Sequence, residues 1–567
     1  MNLPRKIYHM PLRTILLTTL STVFLWIFPS CGGSADTIDI TAEPEIEANP
    51  NNAAPLAAIL TFETNETVTT HLHLSDGEHE WQLTYDTTFH PSDGIPVVGM
   101  RPDRDHTIRI SLQDQDGNLQ ELAKELTFQT PPLPDDPAVF PSIAVIESSQ
   151  QQMEPGYTLL NPRRRLPRET QIGNEVERQF GANFGMLLLV DAEGVPVWYY
   201  RTDSRISDFD YLGNGRIQYV TQDYRIIEID MLGNVINSWY AANRPEGDAA
   251  EIPVETLTFH HDADRLPNGN ILALGTEQRI LDNYYTDSFD ADAPRATQPV
   301  MGDLVIEFNQ AGEILWSWNA FEHMDPYRVG YFMPYWKRRG FPETVDWSHA
   351  NSLLNLPEEN AVMVNFRLLS AIVKIDRESG EIVWIFGEPS GWSESNQDKL
   401  FTLEGDVRWP WHQHAPVFTS RGTLLLFDNG NFHARPYEET IPIQEAYSRV
   451  AEYEIDQENR TARQIWTSEI PGEEPVLSVA MGNVGELPET GNILIGYGAI
   501  LEREDLSELT WATRARADQW TMTREVTRTD PPEIVWELQL RKTGSDPEIG
   551  WNIFGVKRIQ LFQPDSE

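Results

Sequence analysis

One pattern recurs six times along this sequence and leaves few folds open: an apolar strand, a polar turn built on Asp or Asn and usually Gly, then a strand ending on Trp. The copies are Leu187–Trp198 (LLLVDAEGVPVW), Ile226–Trp239, Leu304–Trp316, Ile372–Trp384, Val450–Trp466 and Arg524–Trp536. Most are preceded by a second turn feeding an apolar strand, as in LPNGNIL from Leu266 and LPETGNIL from Leu487. Units of this size, with short strands and no useful helical periodicity, cannot bury their apolar faces singly and have to stack. Radial stacking leaves only short protected edges, so the expected fold is all-β, with a six-bladed β-propeller over residues 133–567. The recurrent tryptophans are expected to pack between neighbouring blades. The ring is expected to close when a segment from one end, Trp551–Phe562 or Tyr157–Leu160, completes a blade from the other.

Upstream the texture changes. Short alternating runs such as Thr69–Leu74, Trp81–Tyr85 and His106–Leu112, separated by Ser-Asp-Gly and Asp-Gly-Asn turns, predict a small fibronectin/Ig-like β-sandwich over residues 56–132. Residues 31–55 are acidic, poor in large apolar groups and hold Pro44, Pro50 and Pro55, which predicts a flexible tether. At the start, Arg5, Lys6 and Arg13 precede an apolar stretch from Ile15 to Phe28 that ends in Phe-Pro-Ser-Cys at Cys31. Its length of about 14 residues falls short of the roughly 20 that span a bilayer, so residues 1–30 read as a lipoprotein signal peptide. Phe28 and Pro29 depart from the usual lipobox. Cys31 is the only cysteine, which rules out a disulfide framework and gives the residue a reason to exist as a lipid attachment point. The expected location is the periplasmic face of the outer membrane, with membrane attachment through lipidated Cys31, or the cell surface. A homodimer is left open.

A formal net charge of −44 argues against nucleic acid as a partner, since a polyanion is repelled. In so acidic a chain an Arg drawn into the interior points to an anionic ligand. Three histidines stand at nearly the same place in consecutive repeats: His261 lies eight residues before Gly269, His414 eight before Gly422, and His349 seven before Leu356. In a propeller, equivalent positions on adjacent blades converge on the axis. Asp262 adjoins His261, Asn351 shares a strand face with His349 two residues earlier, Arg367 begins the next apolar run, and Asp428-Asn429-Gly430 follows Gln413-His414 across one strand.

The blocks FHHDADRLPNGN from Phe259, DWSHANS from Asp346, Asn365-Phe-Arg367, and Gln413-His414 followed by Phe427-Asp-Asn-Gly resemble the signature blocks of bacterial arylsulfate sulfotransferases, in the same order. The resemblance covers roughly residues 50 to 560. It implies a six-bladed propeller that moves a sulfuryl group from a phenolic sulfate ester to a phenol acceptor with no nucleotide sulfate donor and no other cofactor. Carried over, it makes His414 the nucleophile that becomes sulfohistidine. His261 or His260, together with His349, Asn351 and Arg367, would bind the sulfuryl oxygens and handle the phenol proton. Ala415-Pro416 replaces the Thr-Ala usual after Gln-His, which bears on acceptor access, and the family's cysteine pair is absent.

Elementary chemistry asks for the same groups. A sulfate monoester becomes electrophilic when fixed donors meet the charge on its oxygens and on the departing phenolate. A neutral imidazole can attack sulfur if a hydrogen bond at its other nitrogen fixes the tautomer. A second histidine protonating the leaving group and deprotonating the acceptor is worth roughly 10²–10⁴-fold, and the scheme predicts ping-pong kinetics. Two other readings stand beside it. Three axial histidines near a carboxylate also suit a metal-dependent propeller hydrolase or lyase, although Arg367 would set a cation among the ligands. A non-catalytic propeller lipoprotein that binds polysaccharide or protein would make the histidines dispensable. The aromatic, basic segment Tyr327–Arg339 reads either as a lid over a phenol ring or as an insertion packed on a neighbouring blade. The Asp287–Asp292 run lacks EF-type spacing and reads as a solvated loop.

Overall fold

All six repeated strand pairs form antiparallel hairpins, each with one register shift, and in five of them it falls just before the last pair at the turn. The turn residues explain themselves. Asp191, Asp230 and Asn309 each accept two backbone N–H groups of their own turn through one side-chain oxygen, the Asx geometry that replaces a ladder bond where the chain reverses. Gly194, Gly233 and Gly312 follow at φ 76°, 79° and 83°, a left-handed region where a Cβ is penalised.

The computed structural model describes residues 38–166, 175–542, 544 and 548–562. From residue 142 onward these form an all-β region containing six sheets of four or five strands. The first sheet holds Tyr157–Leu160, Gly185–Val190 and Pro196–Thr202, and its fourth strand, Val556–Ile559, arrives from the far end of the chain to pair with Tyr157–Leu160. The second to fifth sheets begin at Ile206–Gly213, Ala263–Arg265, Ala350–Leu356 and His414–Phe418. The sixth begins at Asn483–Glu486 and is completed by Ser142–Ser148 on its opposite edge. Both chain ends of the region therefore finish a sheet begun elsewhere, the first through the Trp551–Phe562 segment anticipated from sequence.

Two circuits link these sheets. Each repeat tryptophan donates its indole N–H to the turn of the next repeat: Trp198 to Met231, Trp239 to Gln310, Trp316 to Arg377, Trp384 to the Gln457 side chain and Trp466 to Thr529, at 2.8–3.1 Å. The last, Trp536, returns to the carbonyl of Ala192 in the first repeat at 2.9 Å. The tryptophans thus join neighbouring sheets as expected. At the other edge, the Ile206, Ala263, Ala350, His414, Asn483 and Val556 strands touch in sequence, and an ion pair of Lys557 with Asp210 ties the last to the first.

Residues 38–131 form an Ig-like sandwich of one three-stranded and one five-stranded sheet around a shared apolar core. That core continues into the first two large sheets and takes in Phe562, which packs on Tyr85 and Phe89. The tether expected through residue 55 gives way here. Ile40–Ala48 is a strand paired with Ala58–Thr64, and Asn49 donates to the carbonyls of Ala54 and Leu232, both at 2.9 Å. Its alternation escapes a composition-based reading because Glu43, Glu45 and Glu47 occupy the exposed face while Ile40, Ala42, Pro44 and Ile46 turn inward. An edge strand needs one buried face, and an edge also tolerates the proline. The segment expected to be a signal peptide and Cys31 lie outside the described residues. Among the described residues no helix is long and apolar enough to cross a membrane.

Candidate active site

The chain enters the inner-edge strands of four consecutive sheets through a residue with left-handed backbone: His261 (φ 54°), His349 (52°), His412 (56°) and Met481 (60°). Such angles cost a non-glycine residue about 1–2 kcal/mol and gather where the surroundings over-determine them. His414 follows two residues after this point. A register shift between His414 and Val417, with Ala415 at φ 47°, absorbs the difference. Counting back from the next turn equates His414 with His261, whereas the backbone equates His412 with it. The irregularity at Ala415 sets His414 apart from its repeat-mates.

His414 is buried, and its Nδ1 faces two acceptors: the Asn429 side-chain oxygen at 2.6 Å and the His412 carbonyl at 3.1 Å. Asn429 cannot be flipped, because its amide N–H groups already donate to the carbonyls of Ser478 (2.7 Å) and Met481 (2.8 Å). Nδ1 therefore carries the proton and Nε2 presents its lone pair. Burial, reinforced by the Arg367 charge, pushes the pKa well below that of ordinary histidine, so the ring stays neutral and nucleophilic.

His349 and His261 meet edge to face, with ring centroids 4.7 Å apart. Nδ1 of His349 donates to Asp346 at 2.6 Å, a carboxylate also held by the Trp336 indole at 3.0 Å. His261 has a longer support. Nε2 of His260 faces the Gly275 carbonyl (3.1 Å) and Asp303 (3.2 Å), both acceptors, so it carries the proton. Nδ1 of His260 and Nδ1 of His261 share a hydrogen bond at 2.8 Å. Of the adjacent histidines, His261 meets His349, while His260 stands behind it. Burial, with the surrounding histidines and Arg339 opposing a positive charge on the ring, pushes the His261 pKa well down.

Arg367 is 2% exposed. Its guanidinium donates to the Met333 sulfur and to the Val479 carbonyl (3.0 Å), and Nε has no partner. Burial without a paired carboxylate pulls its pKa down to about 9. This is an interior cation with unused hydrogen-bonding capacity. Its backbone N–H is tied to the His349 carbonyl at 3.1 Å. Asn351 spends its amide within the protein, donating to the Gln413 carbonyl (3.0 Å) and accepting from Asn365, so it fixes the residue preceding His414.

A cavity of about 360 Å³ opens on His414 and Asn351 and continues past Asp208, Asp262 and Asp264. The Tyr327–Arg339 segment packs on the histidines through Tyr335 and Trp336. Tyr335 stacks on His261 (5.1 Å, 22°) and meets His349 edge-on (4.8 Å), while Tyr331 stacks on Phe432 at 3.7 Å. Among the described residues no group of three or more His, Cys, Asp or Glu side chains is arranged to hold a metal ion. Sequence reasoning missed His412, though it stands two before His414 and period-two spacing pointed to it. It also missed Asp303, which carries no local signal.

The family profile described as "Arylsulfotransferase (ASST)" matches residues 142–541, and "Arylsulfotransferase Ig-like domain" matches residues 45–131. Two curated relatives carry the description arylsulfate sulfotransferase AssT. The one from Escherichia coli O6:H1 is 22% identical over 384 residues, covering 57% of this chain and 59% of its own. The one from Lelliottia amnigena is 21% identical over 506 residues, covering 74% of this chain and 79% of its own. The chain thus spans less than two thirds of the Escherichia coli relative. Among solved structures, a luciferin-regenerating enzyme shares 10% identity at a TM-score of 0.31, covering 74% of this chain and 100% of that one. With profiles matching both the sandwich and the six-sheet region, this chain belongs to the bacterial arylsulfate sulfotransferase family.

Proposed function

We propose that the protein transfers a sulfuryl group from a phenolic sulfate ester to a phenol through a sulfohistidine at Nε2 of His414. The observation that carries this reading is the neutral His414 with its proton locked on Nδ1 by Asn429, beside the unpaired interior cation Arg367. Nε2 attacks sulfur, the S–O bond to the phenol breaks, and a histidine protonates the departing phenolate. Arg367 meets the charge on the sulfuryl oxygens throughout. In the second half-reaction the acceptor oxygen attacks the same sulfur, its proton passes to a histidine, and the N–S bond breaks, regenerating neutral His414. Asn351, through the Gln413 carbonyl, keeps the nucleophile in line.

The proposal extends to architecture and location. The six sheets are the blades of a six-bladed propeller, supported by the tryptophan circuit and the inner-edge circuit. The catalytic domain runs from about residue 133, after a sandwich that begins near residue 38. Residues 1–30 direct export and Cys31 carries the lipid that holds the enzyme in the periplasm at the outer membrane. The test incubates the protein with 4-nitrophenyl sulfate, with and without phenol, and weighs it intact. Phenol-dependent nitrophenol release and a gain of one sulfuryl group, both lost in His414→Ala, are expected. Release that ignores phenol, or turnover without a mass gain, defeats the reading.

A further inference from the structure

We propose that Arg514 is the second cation of the sulfuryl site and binds, with Arg367, the sulfate group of the aryl ester. This rests on the sulfuryl-transfer reading and goes beyond it by bringing into the site a residue from outside the histidine-bearing blocks.

Acidic residues outnumber basic ones 87 to 43 in this chain, so an arginine without a carboxylate is not left so for want of one. Among the described residues neither Arg367, buried, nor Arg514, half-buried, makes an ion pair. What they donate to is neutral: the Met333 sulfur and Val479 carbonyl for Arg367, the Trp511 carbonyl for Arg514. Burial and then the Arg514 charge hold the Arg367 pKa down at about 9, and burial draws Arg514 itself down to about 10. After burial, the same two charges are what most push the pKa of His412, two residues before His414, well down. Two cations held near one another without counter-charge raise each other's cost where water is scarce. An anion addressed by both removes that cost, and a sulfate group spreads its charge over oxygens enough for two guanidinium groups. The cavity that opens on His414 offers no substitute, because the cations lining it, Lys557 and Arg558, are already paired with Asp210 and Glu525.

Consecutive residues tie the two arginines to the site. Asn431 donates at 2.8 Å to the Val479 carbonyl, which also holds Arg367. Phe432 follows with left-handed backbone at φ 64°, and its ring lies 5.2 Å from that of His412 and 5.1 Å from the Arg514 guanidinium. Arg514 arrives on the segment between the strands Ile493–Leu501 and Gln519–Val526. Leu506, Leu509 and Trp511 pin that segment into one apolar cluster with Tyr331 and Phe432, and Trp511 stacks on Phe432 at 4.3 Å. Arg514 meets the sulfuryl group on donor, enzyme and product alike. It therefore serves both half-reactions through binding and leaves the barrier between bound states unchanged.

The experiment compares Arg514→Gln and Arg514→Lys with wild type. Inorganic sulfate is titrated by calorimetry, and cleavage of 4-nitrophenyl sulfate is followed in the steady state and in single turnovers. Arg514→Gln, which keeps a donor for the Trp511 carbonyl, is expected to weaken sulfate binding and raise the donor KM by about tenfold, the size of one charge acting through partly hydrated surroundings. The single-turnover rate at saturating donor should stay within a few-fold of wild type. Added NaCl should weaken donor binding less in this variant than in wild type. Arg514→Lys keeps the charge and should recover most of the affinity. Equal sulfate affinity in wild type and Arg514→Gln, a saturated rate that falls along with affinity, or a Lys variant no better than Gln overturns the assignment. A wild-type protein that binds sulfate yet forms no sulfo-enzyme would instead defeat the underlying reading.

Discussion

Replacing Arg367 with Met should make the protein more stable and nearly inactive. The guanidinium is 2% exposed, lacks a carboxylate partner and leaves Nε unbonded. A pKa drawn down to about 9 converts to roughly 5 kcal/mol of destabilisation as an upper bound, at about 1.4 kcal/mol per tenfold. The sign is unambiguous: folding lowers the pKa of a cation, so the penalty is present in full at every pH below about 9. Relaxation offsets part of it, and an apolar side chain of similar length should recover about 1–3 kcal/mol. Loss of the clamp should slow the nitrophenol burst by about 10²–10³-fold. The assay is denaturant unfolding at pH 7 with and without inorganic sulfate. Wild type should gain stability on adding sulfate and Arg367→Met should not, while the variant is the more stable of the two in sulfate-free buffer. A variant less stable than wild type without sulfate would show that the cation is already satisfied in the free protein, and the argument for an anion clamp would fall.

Asn429→Ala should free the His414 tautomer and slow the burst by about 10²–10⁴-fold, the range seen when a catalytic histidine loses the partner of its far nitrogen. It should also destabilise by about 1–3 kcal/mol through the lost bonds to Met481 and Ser478, the latter keeping the Ser448 hydroxyl, and a burst within a few-fold of wild type would refute the tautomer assignment. Asp262, buried among carboxyl groups, has its pKa raised to about 8. Native protein then holds a proton that the unfolded chain releases near pH 4, so its contribution falls as pH rises from about 4 to 8. Asp262→Asn keeps an acceptor for Leu353 N–H and should melt higher than wild type at pH 8 but equally at pH 4; a gap of the same size at both would contradict the shift.

How much of this was legible beforehand depends on where the controlling chemistry sits. The hairpins were readable because Asp191, Asp230 and Asn309 cap their own turns, and because a strand ending in Trp marks the contact to the next repeat. Convergence of His261, His349 and His414 followed from the repeat. What makes His414 differ from its repeat-mates did not, since left-handed backbone at His412 and Ala415 has no residue signature of the kind glycine provides. Asp303 was invisible for another reason. It is one acidic residue among many in a chain of such negative charge, and only its tertiary pairing with His260 singles it out. The strand at Ile40–Ala48 was lost to that same acidity, its apolar alternation masked by the glutamates between.

The way the first sheet is completed sets an order of events for the nascent chain. Phe554 N–H bonds the Asn161 side chain across 393 positions, and Val556–Ile559 pairs with a strand made near the beginning of the region. Loop closure over such a span is entropically modest but slow to find. Until it happens, the Tyr157 strand has an unpaired edge, the sandwich lacks Phe562 from its core, and His261 lacks the Phe554 wall. A chain cut short before residue 554 would therefore carry His261, His349 and His414 without the strand that completes the first sheet. Closure of the first sheet is thus among the last pairings that a growing chain can make.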